Sequence, residues 1–231
     1  MKKVLLGAML LVAALVVTGC GNKSQKKDDN QQTEQVKENR MLIIVDPQID
    51  FTTGSLATAK GPEAMERLAE AINNGVLDKY SWVIVTQDAH PINHCSFVAQ
   101  GGPFPPHCVE GTEGMDVYPA LKKALEAHSQ NLSLHFFTKG DLPDREEFSV
   151  FQNAQSGEKL TTTITEFEKF DGIDICGIAT DYCVFETTRD LMAIYPAEKI
   201  RIVTNCIAAV DDNDTKLADL MAENGIEAIT F

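Results

Sequence analysis

A chain of 231 residues, 44% of them apolar, is long enough to bury one sizeable core and too short for two comfortable ones. Its 20 Lys plus Arg stand against 34 Asp plus Glu, a net charge of −14. Such a surface repels phosphate backbones and anionic head groups, which argues against a nucleic-acid partner.

The chain opens with Lys2 and Lys3, an unbroken small-and-apolar run from Val4 to Val17, and then Thr18, Gly19 and Cys20. The run falls short of a bilayer span and reads as a signal h-region. Val17-Thr18-Gly19-Cys20 resembles a bacterial lipobox. That implies removal of residues 1–19, lipidation of Cys20, and an exported lipoprotein that meets the extracytoplasmic face of the membrane through that lipid alone. Loss of Lys2 and Lys3 would leave 18 basic against 34 acidic residues, a net charge of −16. Asn22 to Arg40 holds a single aliphatic residue, Val36, and no aromatic one. It cannot bury enough surface to fold, so residues 20–40 are expected to form a disordered tether and residues 41–231 the folded domain.

From Met41 short β-rich runs alternate with amphipathic ones. MLIIVD (41–46) reads as a buried strand, Pro62–Ile72 as a helix, and Trp82–Thr86 as a second strand. A Pro/Gly/His-rich loop runs to Met115, followed by a helix over Val117–His128 and a strand over Leu134–Thr138. Then come a helix over Leu160–Lys169, a strand over 174–179, a helix over Cys183–Ile194, a strand over 200–204, a helix over Thr215–Asn224 and a closing strand, 227–231. Six strands alternating with helices predict an α/β fold, a parallel sheet with helices on both faces. The turn after the first strand, DPQIDF, has none of the glycines that would cradle a dinucleotide.

In open sheets of this kind ligands bind beyond the carboxyl ends of the strands. Asp46 ends the first strand, Asp88 and His90 follow the second, Lys139 follows the third, and Cys183 lies just past the fourth, so the reactive candidates share one edge. A thiol at a helix start is expected to have a lowered pKa and to be nucleophilic. Cys176 and Cys206, in or beside strands, read as small hydrophobes. Asp46 alone reads as a turn residue and Lys139 alone as a solvated cation. Together a carboxylate, an ammonium and a thiol can form a triad in which the acid accepts the thiol proton. Asp88, His90, His94 and His107 offer one carboxylate and three imidazoles, a donor set suited to Zn, Fe or Mn with positions left open for substrate. With Cys20 assigned to lipid, five cysteines remain, an odd number with no framework spacing. His128 and His135 receive no role.

LIIVDPQIDF (42–51), TQDAHPINHCSF (86–97), FPPHCVEGT (104–112), FFTKG (136–140) and GIATDYCV (177–184) resemble, in this order, the nicotinamidase/pyrazinamidase branch of the isochorismatase-like cysteine hydrolases. The resemblance covers Met41 almost to Phe231. It implies a three-layer sandwich around a six-stranded, mostly parallel sheet. It also implies a catalytic triad of Asp46, Lys139 and Cys183 and one divalent metal, zinc foremost, on Asp88, His90, His94 and His107. A cis peptide is implied at Ile178-Ala179, with the backbone N–H groups of Ala179 and Cys183 as oxyanion hole. Phe51 matches a pocket aromatic, and Phe104 stands where many relatives have tryptophan. The implied reaction is hydrolysis of nicotinamide, or a close aromatic amide such as pyrazinamide, through a Cys183 thioester, with the metal holding the pyridine nitrogen; oligomeric state is left open. Two competing readings are a related amidase acting on another carboxamide or carbamoyl compound, and a surface lipoprotein that binds without turnover. Relatives in NAD salvage are generally cytoplasmic, so an export signal departs from the pattern.

Overall fold

The computed structural model describes residues 38–130, 132–167 and 169–231; the signal segment, Cys20 and the tether up to residue 37 lie outside the described residues. The domain is built on six strands: β1 (Arg40–Val45), β2 (Tyr80–Asp88), β3 (Ser133–Lys139), β4 (Gly172–Ile178), β5 (Ile200–Ala208) and β6 (Glu227–Ile229). Every neighbouring pair is parallel, in the order β3-β2-β1-β4-β5-β6, so the sheet is wholly rather than mostly parallel.

All six residues of β1 are buried, as a central strand covered on both faces requires. Alternation then divides its side chains. Leu42 and Ile44 join Val83, Val85 and Ile178 against helices α1 (Ile49–Thr52), α2 (Gly61–Asn73) and α3 (Pro119–His128). Met41, Ile43 and Val45 join Ile84, Ile173 and Ile202 on the other face, under α4 (Ala154–Thr162), α5 (Phe185–Met192) and α6 (Lys216–Asn224). The result is a three-layer α/β/α sandwich.

Several boundaries differ from those the pattern predicts. β1 starts at Arg40, inside the expected tether, because its guanidinium pairs with buried Asp174 at 2.5 Å. α4 begins at Ala154 rather than Leu160, where Asn153 caps it by accepting from the Gln155 and Ser156 amides. A π-helical turn, Thr163–Phe167, follows it and stops short of Lys169. β6 ends at Ile229 instead of Phe231. β2 and β3 run on to include Asp88 and Lys139, which face each other in register.

Asp174, fully buried on β4, accepts from Arg40, from the Tyr80 hydroxyl at 2.6 Å and from Arg201 at 2.7 and 2.8 Å. Burial alone would raise its carboxyl, but the bonds from Arg201, Arg40 and Tyr80 outweigh that and hold it below its ordinary value of 3.8. A depressed native pKa stabilises the fold above the unfolded pKa, and that stability is lost as pH falls below 3.8 toward the native value. Asp174→Ala removes the buried partner shared by Arg40, Arg201 and Tyr80 and is expected to cost about 3 kcal/mol in denaturant unfolding, with a flatter acid limb than the parent chain.

Candidate active site

Strand order builds the site. Reading across the carboxyl edge, β3, β2, β1 and β4 deliver Lys139, Asp88, Asp46 and Ala179 in neighbouring positions, spaced by the separation of adjacent strands. The edge between β1 and β4 is also where the strand order reverses, the place at which open sheets leave a crevice.

Asp46 follows β1 with φ of 45°, a left-handed conformation that turns its carboxylate off the strand end. Thr86 fixes that carboxylate, its hydroxyl donating to Asp46 Oδ1 at 2.7 Å while its main-chain carbonyl accepts the Asp46 N–H at 3.1 Å. The other oxygen, Oδ2, lies 3.0 Å from Lys139 Nζ. Lys139 also meets Asp88 and lies 3.6 Å from Cys183 Sγ. Donor atoms of Asp46, Asp88 and Cys183 all fall within 4.8 Å of one another, and Asp46 and Lys139 are wholly inaccessible to solvent. Acid, amine and thiol, far apart in sequence, thus converge.

Burial by itself would discharge Lys139, yet Asp46 and Asp88 overcome it and raise its pKa well above the ordinary 10.5, so the ammonium persists. Asp46 is shifted upward by burial, with Lys139 opposing and Asp88 adding to the rise. The thiol contradicts its sequence-based expectation. Cys183 sits in a π-helical turn, Thr180–Val184, that leads into α5, but burial drives its pKa well above 9.0 and the nearby carboxylates add to this against Lys139. It rests as a neutral thiol beside a base. Cys176 is likewise raised by burial, and Cys206 is pushed up to about 12 for the same reason, in keeping with packing roles. Among the described residues, Cys95 and Cys108 form no disulfide.

The peptide Ile178-Ala179 is cis. Past it the Ala179 carbonyl accepts the N–H groups of Tyr182 and Val184 at 3.1 and 3.0 Å, curling the chain so that Cys183 reaches the crevice.

The three loop histidines pack as one cluster. Ring centroids of His90 and His94 are 3.9 Å apart, and those of His90 and His107 are 4.9 Å apart. Each ring is anchored by a backbone carbonyl: His90 Nδ1 at 2.8 Å from Gly140, His107 Nδ1 at 2.8 Å from Pro105, and His94 Nε2 at 2.9 Å from Arg145. Carbonyls only accept, so those nitrogens carry protons and the opposite nitrogens are the ones left for a ligand, the arrangement of metal-ligating imidazoles. Burial opposes a charge on His90, but Asp88 raises its pKa. His90 Nε2 is buried with no hydrogen-bond partner among the described residues, and Asp88 Oδ2 lies 3.6 Å from it. His94 Nδ1 receives only a long bond from the Ser96 N–H, at 3.3 Å. Burial lowers the pKa of His94 and of His107, keeping both neutral. Donor atoms of Asp88, His90 and His107 lie within 4.8 Å of one another, as do those of His90, His94 and Glu146. An orphaned buried nitrogen within such an N/O set fits a divalent transition ion.

Buried Gln48 holds the metal-side strand end, accepting the Asp88 N–H and donating to the Asp88 carbonyl, both at 2.8 Å. Beside Cys183 opens a pocket. Phe51, Leu56, Phe104, Phe148, Tyr182 and Val210 form its apolar wall, with Asp88, Ser96, His107 and Glu146 on the polar side. Phe51 and Phe104 approach His107 with centroids at 5.5 and 5.8 Å. Phe148, Tyr182, Ser96 and Glu146 escaped the sequence reading; Tyr182, beside the nucleophile in TDYCV, is the one that adjacency could have flagged. His135 instead stacks on Trp82, at 4.8 Å.

Thr86→Val keeps the shape of the side chain but removes the hydrogen bond that orients Asp46. A bond to a charged acceptor is worth about 1.5–3 kcal/mol, so kcat/KM should fall roughly 10- to 100-fold, while Thr86→Ser stays within a few-fold; steady-state kinetics decide.

Residues 40–230 match the Isochorismatase domain. The chain is 33% identical over 189 residues to the nicotinamidase/pyrazinamidase of Mycobacterium tuberculosis, covering 78% of this chain and 91% of that protein. The crystal structure of Pyrococcus horikoshii pyrazinamidase in complex with zinc superposes with a TM-score of 0.68 at 27% identity, covering 84% of this chain and 99% of the other. PnC1 from L. infantum in complex with nicotinate gives a TM-score of 0.70 at 29% identity, with coverages of 84% and 93%. The chain belongs to the isochorismatase family and, within it, to the nicotinamidase/pyrazinamidase branch of cysteine hydrolases. It is an amidohydrolase of that type.

Proposed function

We propose that this enzyme hydrolyses nicotinamide, or a close aromatic amide such as pyrazinamide, to the acid and ammonia. The observation that carries the reading is the meeting of Asp46, Lys139 and Cys183 beside an aromatic pocket whose polar side carries Asp88 and His107. The relatives named above, one solved with nicotinate and one with zinc, support it.

Cys183 gives its proton to Asp46 as the sulfur attacks the carboxamide carbon, and Lys139 offsets the charge on both groups. The carbonyl oxygen, now anionic, accepts from the backbone N–H groups of Ala179 and Cys183, donors that typically contribute on the order of 3 kcal/mol each. The C–N bond breaks as Asp46 returns its proton to the nitrogen, releasing ammonia and leaving a Cys183 thioester. Asp46 then deprotonates a water that attacks the thioester; the C–S bond breaks and the thiol is re-formed. A resting neutral thiol suits this sequence, since the proton moves only when a carbonyl is there to receive the sulfur. Asp88, His90, His94 and His107 would hold one divalent ion, zinc foremost. When bound, that ion supplies a Lewis-acid anchor for an aromatic ring nitrogen. Phe51 and Phe104 flank the ring and restrict its tilt. The N-terminal segment would hold this domain at the extracytoplasmic membrane surface through lipid on Cys20.

An ammonia-release screen of the purified protein over a panel of carboxamides, with and without added divalent ions, tests the proposal. Nicotinamide and pyrazinamide should be the best substrates; release from neither, with metal restored, would refute it. Preference for a non-aromatic amide or a carbamoyl compound would favour the competing amidase reading.

A further inference from the structure

The loop that follows β3 forms the back wall of the histidine cluster. Its Gly140 and Arg145 carbonyls anchor His90 and His94. Buried Glu147 shapes it by accepting from the Gly140 N–H and from Asn153, both at 2.9 Å. The neighbouring side chain, Glu146, turns the other way into the pocket, where Ser96 donates to Oε2 and the Glu147 N–H donates to Oε1 at 3.1 Å. Each carboxylate oxygen keeps a further lone pair. The donor atoms of Glu146, His90 and His94 lie within 4.8 Å of one another, and the shared member, His90, carries the buried, unpartnered Nε2.

Glu146 is thus the carboxylate that the fold places beside this unpartnered nitrogen.

We infer that Glu146 is a direct donor to the divalent ion, bridging the β3 loop to the histidine cluster and closing that side of the coordination sphere. This rests on the metal-binding reading given above. Glu146→Gln preserves size and the contact with Ser96 but removes the charge and weakens the donor. Competition of the purified protein with a chromogenic chelator for Zn²⁺ should show an affinity loss of about ten-fold or more relative to the parent chain. The visible spectrum of the Co²⁺-loaded protein should change as the donor set is altered. A smaller loss overturns the inference, and so does an unchanged Co²⁺ spectrum, which would assign the effect to charge at a distance. His90→Ala separates this from failure of the metal reading. If the parent binds Zn²⁺ and His90→Ala does not, while Glu146→Gln still binds as the parent does, only the role of Glu146 falls. If the parent binds no ion, the metal reading falls with it. Far-UV circular dichroism confirms that each variant is folded.

Discussion

Cys183→Ala is expected to lower kcat/KM for nicotinamide by about 10⁴-fold or more without unfolding the protein, because the sulfur is the atom that forms the new bond. The methyl group that remains is tolerated by the buried cluster of Ile175, Val184 and Leu191 around it. Asp46→Asn should be nearly as severe, since the amide keeps the shape but can neither take the thiol proton nor return it to the leaving nitrogen. The two losses should not add, for the thiol and its base act as one unit; in the double variant the loss should match that of Cys183→Ala alone. Lys139 behaves differently. Removing it leaves Asp46 and Asp88 facing each other without a counter-charge, so Lys139→Met should also destabilise the fold by about 3–5 kcal/mol, measured by denaturant unfolding. Kinetics and unfolding together separate a chemical loss from a structural one.

Stripping divalent ions, or replacing His90 by alanine, should have the next largest effect and a different signature. The reading assigns the ion to positioning, and misplacing a bound substrate by about 1 Å costs on the order of 100-fold. Nicotinamide hydrolysis should therefore fall about 100-fold, while benzamide, which has no ring nitrogen to anchor, should be slow with or without metal. Adding a divalent ion should rescue the chelated parent but not His90→Ala. Equal losses for both amides would mean that the histidine cluster supports the fold of the pocket and not the placement of the ring.

The inner strands β1, β2 and β5 were legible because they carry short runs rich in β-branched residues, LIIV, WVIV and IRIV, and buried parallel strands need such runs on both faces. The convergence of Asp46, Lys139 and Cys183 was legible because the first two stand at strand ends and the third in the turn just past one, and parallel strands put those ends on one edge. Two things were hidden. Glu146 and Phe148 reach the pocket only because Glu147 folds the β3 loop back by bonding Gly140 and Asn153, a contact that no periodicity announces. The protonation of Cys183 was misjudged for a related reason. The helix-start argument is local, whereas burial and the carboxylates of Asp46 and Asp88 arrive from other strands and outweigh it. The same holds at the opposite end of the sheet. Arg40 looked like the last residue of a polar tether until its tertiary partner, Asp174, drew it into β1.

The most direct test is mass spectrometry of the enzyme quenched in acid during turnover of nicotinamide. A nicotinoyl adduct on the peptide carrying Cys183, present at early times and discharged when substrate is exhausted, is the predicted result. Continued ammonia release with that cysteine never modified, or full activity in Cys183→Ala, would contradict the account.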